Sequence, residues 1–262
     1  MAITIKTKEE IEILREGGKR LAFILAEVGK AAQPGVTTKS LDDLAIKLVE
    51  DGGLPGQGDK AAFLNYKPAG MKRPYPAALC VSINDEIVHG IPNELPKILK
   101  DGDIVSLDMG LLHKGLFTDS AITVAVGNVD EAGKRLIEDT RNALYAGIDA
   151  VKEGNHVRDI SYAIERYVRP LHLGIVEELC GHGVGYKVHE DPYIPNFCLE
   201  NKGEKLKTGM VLAIEPMLNE GGKHIKLDTD GWTYRTADGS RSAHFEHTIV
   251  VTKNGCEILT EL

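Results

Sequence analysis

Ile104-Val105-Ser106-Leu107-Asp108-Met109, followed after a turn near His113-Lys114-Gly115 by Leu116-Phe117-Thr118-Asp119-Ser120, decides how this chain folds. Apolar runs rich in β-branched residues on either side of a glycine turn read as a hairpin, with strands over 104–109 and 116–126. Asp is depleted in strands, yet Asp108 sits near the end of the first run and Asp119 lies inside the second, 11 residues on. Folded back, the hairpin sets the two almost opposite each other, within reach of a shared ion. Either one alone also suits a solvated strand end.

Outward from the hairpin the pattern turns helical. Thr7 and Glu10 form a capping box before Ile11, Leu14, Leu21, Ile24, Leu25 and Val28, which predicts a helix over about 8–31, broken at Pro34-Gly35. Thr38 caps a second helix carrying Leu41, Leu44, Ala45, Leu48 and Val49, stopped at Gly52-Gly53. Residues 53–76, rich in Gly, Pro, Tyr and Lys, read as a long loop, and loops of that length are uncommon unless functional. Before the hairpin a strand is expected over Ala77–Ile83. After it come helices over about 130–152 and 157–169, then strands near 173–179, 210–215 and 244–252. The order helix, helix, strands thus occurs twice. Gly35, Leu41, Ala45 and Val49 match Gly154, Ile160, Ile164 and Val168 at a constant offset of 119. Two unrelated amphipathic helices could align as well. A duplication would make this one α+β domain, with halves of about 1–128 and 129–262 and a site at their junction.

Composition narrows the function classes. A chain of 262 residues with a formal net charge of -8 holds a large core and is not the basic chain expected of a nucleic-acid binder. No apolar run approaches the ~20 residues of a membrane span, and the N-terminus is not a secretory signal. Cys80, Cys180, Cys198 and Cys256 form no C-x-x-C pair, which suits reduced thiols in a cytoplasmic protein.

The remaining chemistry-bearing residues lie C-terminal to the hairpin. Gly181-His182-Gly183-Val184-Gly185 places a histidine in a tight glycine loop where backbone or ligand can approach closely, but it matches neither G-x-G-x-x-G nor a P-loop. His189-Glu190-Asp191-Pro192 adds a second imidazole. Glu215 ends the apolar run Met210-Val211-Leu212-Ala213-Ile214, where an ionised carboxylate is costly unless compensated. In His244-Phe245-Glu246-His247-Thr248, strand alternation puts His244, Glu246 and Thr248 on one face and His247 on the other, where a core histidine is the simpler reading. Asp108, Asp119, Glu215 and Glu246 are four carboxylates in buried settings, and two divalent cations would balance them. Such a ligand set suits Mn, Fe(II), Co or Zn. With no G-x-S-x-G elbow and no Cys in a nucleophile setting, metal-activated water is favoured over covalent catalysis.

Taken together, Cys80-Val81-Ser82-Ile83-Asn84, His89-Gly90-Ile91-Pro92, the Asp108/Asp119 pair, Gly181–Gly185 with His189–Pro192, Ile214-Glu215-Pro216 and Phe245–Thr248 resemble the type I methionine aminopeptidases across nearly the whole chain. The resemblance implies the duplicated α+β "pita-bread" fold, an antiparallel sheet covered by two pairs of helices with pseudo-two-fold symmetry. It implies two divalent ions bridged by Asp119 and Glu246, one held also by Asp108 and the other by His182 and Glu215. A bridging water or hydroxide would attack the first peptide bond, with Glu215 relaying protons, His189 stabilising the oxyanion and His89 contacting the next amide. Tyr66, Tyr75, Cys80 and Trp232, with Phe63 nearby, would receive the methionine side chain; soft sulfur and aromatics suit a thioether. The implied substrates are nascent polypeptide N-termini with a small second residue, met by a cytoplasmic enzyme; whether it docks on the ribosome is left open, any docking would use its own surface, and a monomer is the default.

Three departures from the family pattern stand out. Phe63 is where many bacterial relatives carry Cys. The stretch Lys67–Pro76 before Cys80 is longer, which leaves the alignment of Tyr75 open. His244 stands where Gln is common, which leaves its role open. A prolidase or proline-specific aminopeptidase shares the fold and ligands. Such proteins usually carry a large N-terminal domain and a shorter gap between the last two glutamates than the 31 residues between Glu215 and Glu246. A non-catalytic binding homologue would generally have lost ligands that this chain keeps.

Overall fold

The computed structural model describes residues 3–51 and 58–262. Its helices are α1 (Lys8–Ala31), α2 (Thr38–Asp51), α3 (Glu131–Asp149) and α4 (Val157–Val168). The strands of the first half are β1 (Lys60–Ala61), β2 (Cys80–Ile83), β3 (Glu86–Val88), β4 (Ile104–His113) and β5 (Leu116–Ala125). After α4 come β6 (Gly174–Ile175), β7 (Cys180–Gly183), β8 (Glu190–Pro195), β9 (Val211–Ile214) and β10 (Met217–Asn219). The chain closes with β11 (Ile225–Leu227), β12 (Tyr234–Thr236), β13 (Ser242–His244), β14 (Glu246–Val251) and β15 (Cys256–Ile258). No helix among the described residues is long and apolar enough to cross a membrane.

Nine of these strands form one antiparallel sheet, with β1-β4-β5-β14-β9-β7-β8 as its path. Alternation along each strand sorts it into a helix face and an open face. On β4, Leu107, Met109 and Leu111 join Leu21, Leu25 and Val28 of α1 in one core; on β9 and β14, Leu212, Ile214, Ile249 and Val251 join Leu136, Leu144, Ile160 and Ile164 of α3 and α4 in a second. Asp108, Asp119 and Glu246 occupy the intervening positions, so the residues that build the helical face also aim these carboxylates away from it. This is the α+β sheet with two helix pairs expected from the sequence.

The duplication is visible in backbone detail. Gly35 and Gly154, 119 residues apart, both adopt left-handed φ, +90° and +94°. Gly35 N–H donates to Leu99 O and Gly154 N–H to Leu206 O; Leu99 N–H returns to Val36 O and Leu206 N–H to Asn155 O. A helix follows each glycine, with Leu41, Ala45 and Val49 buried in one and Ile160, Ile164 and Val168 in the other.

Several elements differ from the sequence expectation. The hairpin strands are longer: β4 pairs with β5 from Ile104↔Ala125 to His113↔Leu116, around the two-residue turn Lys114-Gly115, both at positive φ. Asp108 is therefore mid-strand. It pairs with Ala121 while Asp119 pairs with Gly110, so the two aspartates are diagonal neighbours on one face rather than opposite. The strand expected from Ala77 begins at Cys80, because the Asp42 carboxylate accepts from the Ala78 and Leu79 N–H groups and takes them out of any ladder. Thr37, not Thr38, caps α2: its hydroxyl accepts from Ser40 N–H, while the Thr38 hydroxyl donates to Pro92 O. The Gly52-Gly53 stop and the start of the long loop lie outside the described residues. The rest of that loop contains β1, which pairs with β4. Near 173–179 only Gly174–Ile175 is strand. The 244–252 segment is two strands in two sheets, since β13 pairs with β10 and β14 with β5 and β9.

His182 lies on strand β7 rather than in a tight loop. A Cβ at Gly181 would meet Ala213 O at 2.4 Å and one at Gly183 would meet Asp191 O at 2.3 Å, so the glycines let β7 lie against its neighbours. Gly185, at φ +140°, leaves room for the Lys6 side chain. We predict that Gly181→Ala lowers stability by about 1–3 kcal/mol, read by urea denaturation of metal-free protein. Unchanged stability would show that β7 can move away from β9.

Candidate metal centre

Glu215 and Phe245 mark the places where two adjacent strands leave the large sheet. The chain passes from β9 to β10 through Glu215-Pro216 and from β13 to β14 through Phe245, and the Phe245 N–H donates to Pro216 O at 3.4 Å. The break turns Glu215 toward the open face, where Glu246, Asp119 and Asp108 already point. Thr248 locks the Asp119 backbone: its hydroxyl accepts from Asp119 N–H at 2.9 Å and donates to Asp119 O at 2.7 Å. His182 Nδ1 donates to Gly183 O at 2.9 Å, which leaves Nε2 as the lone-pair nitrogen. That Nε2 lies 3.5 Å from Glu215 Oε1 and 3.9 Å from Glu246 Oε1.

Ligand atoms of Asp119, His182 and Glu246 all fall within 4.8 Å of one another. Asp108 and Glu215 line the same cavity, so the five residues singled out from the sequence converge. Burial, with like charges nearby, pushes Asp108 up to about 7 and holds Asp119 and Glu246 well above the usual carboxylate range; burial alone pushes Glu215 up to about 8. Asp108 Oδ1 and Glu246 Oε1 are buried without any hydrogen-bond partner. Buried carboxylate oxygens left without a hydrogen-bond partner, beside an imidazole lone pair, are the environment a divalent cation satisfies. The donor set fits metal ions; nothing in it selects among Co, Mn, Fe(II) and Zn.

The other wall of the cavity is apolar. Tyr75, Cys80 and Trp232 pack with Phe63 in a small core of their own, and burial keeps the Cys80 thiol neutral by pushing it well up. Tyr75 meets Trp232 edge-on at 5.2 Å and donates its hydroxyl to Gly90 O at 2.8 Å. The longer stretch before Cys80 does not displace Tyr75. Asn65 N–H donates to Tyr75 O and Tyr75 N–H to Tyr66 O, so the extra residues bulge from a closed neck that brings Tyr66 and Tyr75 together. Tyr66 also bonds His189, hydroxyl to Nδ1, at 2.9 Å. Pro68 joins the lining without having been anticipated, since nothing separates it from other loop prolines in the sequence.

The two remaining histidines stand between these walls. His89 takes a left-handed φ of +59° and faces Trp232 and Tyr234 edge-on. A Cβ at the following Gly90 would meet Val81 O at 2.2 Å, so only glycine lets the chain turn there. Burial, reinforced by His189, pushes His89 down to about 4, which keeps it neutral near pH 7. His189 is exposed at the cavity, its ring 4.4 Å from that of His182. The sequence marked neither Lys6 nor Glu190: the buried Lys6 ammonium donates to Glu190 at 2.8 Å and ties the N-terminal segment beside His189. His247 turns to the helix face and bonds Thr260 at 2.9 Å, as its place in the strand implied.

Comparison with known proteins gives a consistent answer. The model of metallopeptidase family M24 matches residues 12–253. The methionine aminopeptidase of Aquifex aeolicus is 44% identical over 264 residues, spanning 100% of both chains. The crystal structure of the methionine aminopeptidase from Thermotoga maritima has a TM-score of 0.92 at 43% identity, covering 100% of both. The prolidase from Pyrococcus horikoshii has a TM-score of 0.76 at 22% identity and covers 98% of this chain but 63% of its own, a likeness of fold alone. Identity at the first level over the full length separates the two branches, and the chain belongs to metallopeptidase family M24, among its type I methionine aminopeptidases.

Proposed function

We propose a division of labour in this cavity for the family reaction, the metal-assisted removal of N-terminal methionine. The observation that carries it is the meeting of two chemistries in one space of about 510 Å³, mouth included: a wall of buried carboxylates with an imidazole, and a wall of sulfur and aromatic rings. Asp108, Asp119, His182, Glu215 and Glu246 would hold two divalent ions, which supply positive charge to acidify a water and polarise the scissile carbonyl.

The protein's own groups do the rest. Cys80 pairs with Asp108 across β2 and β4, so the thioether pocket opens beside Asp108. A methionine seated against Cys80, Tyr75 and Trp232 then brings its α-amine to the Asp108 end of the cluster, and only a chain terminus carries an amine there. That is the basis of exopeptidase action. Glu215 takes the proton of the attacking water and passes it to the leaving amine. His189, with Tyr66 on Nδ1, offers Nε2 to the developing oxyanion. His89, neutral and fixed by its left-handed backbone, contacts the amide of the second residue. The substrates are peptides with free N-termini. A small second residue is favoured because a bulky one would collide with the rim of the pocket, and the cellular targets are nascent chains in the cytoplasm.

The deciding experiment is turnover of Met-Ala-Ser against Ala-Pro-Ser peptides by metal-stripped and Mn²⁺-restored protein. Metal-dependent release of Met from the first peptide alone is expected; cleavage of the second would move the site to proline-specific chemistry. Glu215→Gln should cut kcat by about 100-fold or more without lowering the melting midpoint of metal-free protein, because a neutral amide replaces a carboxyl that burial already pushes up to about 8. Full activity would remove Glu215 from proton transfer. His89→Ala should lower kcat roughly 100-fold with metal content intact by elemental analysis, and loss of metal would place His89 among the ligands instead.

A further inference from the structure

His244 is the polar side chain that the reading above leaves without work. It ends β13 with a side chain only 1% exposed. Its backbone is fully used: the Thr123 hydroxyl accepts from His244 N–H at 2.9 Å and donates to His244 O at 2.8 Å, while Ser106 bonds the same hydroxyl at 2.8 Å. Its ring is not used, and Nδ1 and Nε2 are both buried without a hydrogen-bond partner. A buried polar atom in that state costs free energy, so two on one ring require a reason.

The ring is aimed at Glu215. His244 Nε2 lies 3.5 Å from Glu215 Oε2, while His182 Nε2 lies 3.5 Å from Oε1 of the same carboxylate. Glu215 is thus bracketed by two imidazoles, one at each oxygen. Their roles differ by tautomer. His182 uses its Nδ1 hydrogen on Gly183 O and presents a lone pair, whereas nothing binds a hydrogen on His244 Nδ1, which frees the proton for Nε2. Asn196 reaches the Glu215 main-chain carbonyl rather than its carboxylate, so His244 is the donor available to Oε2.

We propose that His244 is the positioning residue of Glu215: its Nε2–H donates to Oε2 and leaves Oε1, on the His182 side, as the oxygen that faces the metal. The proposal rests on the reading of Glu215 as a ligand and assigns the partner that orients it. A gap of 3.5 Å closes to a normal hydrogen bond when the carboxylate swings by roughly 0.5 Å. A carboxylate held by one oxygen has one orientation to offer. Partners of this kind change metal affinity or activity by about 10–100-fold when removed.

The test uses the full chain, stripped of metal, with Mn²⁺ titrated by calorimetry and turnover of Met-Ala-Ser followed in parallel. His244→Leu should weaken Mn²⁺ binding about 10–100-fold and lower kcat, with KM within about twofold. The melting midpoint of the metal-free Leu variant should not fall, because two orphaned nitrogens are removed. His244→Gln, which keeps an N–H donor, should recover most of the lost affinity. Unchanged Mn²⁺ affinity in the Leu variant overturns the proposal, as does a lowered midpoint with affinity intact, which marks a packing role. A Gln variant as weak as the Leu variant also overturns it, because the imidazole would then be a ligand itself. Parent protein that binds no Mn²⁺ would overturn the metal centre and this proposal together.

Discussion

Four carboxyl groups crowded into one cavity at the open face of the sheet, Asp108, Asp119 and Glu246 buried and Glu215 13% exposed, are the constraint around which this molecule is organised. Their mutual repulsion and their desolvation both oppose folding, and the protein supplies almost no cation of its own to offset them. The lysines and arginines pair elsewhere: Lys6 with Glu190, Arg20 with Asp59, Arg235 with Asp85, Glu86 and Asp228. Burial answers by holding these carboxyls protonated far above the usual carboxylate range, and the apolar packing behind them holds the site together. The leucine, isoleucine and valine positions that alternate with the acidic ones bury the helix face, and each acidic side chain follows from its neighbours' preference for that core.

Precision at the site comes from backbone devices rather than from side-chain packing alone. Glycines flank His182 because β7 runs against Ala213 and Asp191 at distances no Cβ tolerates. Gly90 serves His89 in the same way beside Val81. The breaks at Glu215-Pro216 and Phe245 let two neighbouring strands turn into a second sheet together, and Glu215 and Glu246 stand at that turn. Thr248 and Thr123 spend their hydroxyls on main-chain groups of Asp119 and His244, which fixes the backbone at both positions.

The wall of sulfur and aromatic rings follows a different logic. It draws Tyr66, Tyr75 and Cys80 from one stretch of the chain and Trp232 from another far along it, so the pocket exists only in the folded chain. The neck that pairs Tyr66 with Tyr75 isolates the pocket from the length of the loop beyond it, and the same Tyr66 touches His189 across the cavity. The side-chain pocket and the proposed oxyanion donor therefore share a residue.

Much of this was legible in the residues themselves. Periodicity located α1 to within a residue of its ends and α4 to within one, because a capping box, a glycine turn and a proline are local signals that need no partner. The five acidic and imidazole positions stood out for an equally local reason: a carboxylate inside an apolar strand is costly wherever the strand packs, so its presence already implies compensation. What the residues did not determine was everything that depends on a neighbour distant in the chain. The shortening of β2 was decided by the Asp42 carboxylate, 36 residues before Ala78. The diagonal rather than facing placement of Asp108 and Asp119 was decided by the two-residue turn at Lys114-Gly115, and the division of 244–252 between two sheets by the strands available on either side. His244 illustrates the same limit: alternation put it on the face of Glu246, but only the tertiary structure brings Glu215 to its Nε2, because the two residues meet through strands that pair from opposite directions.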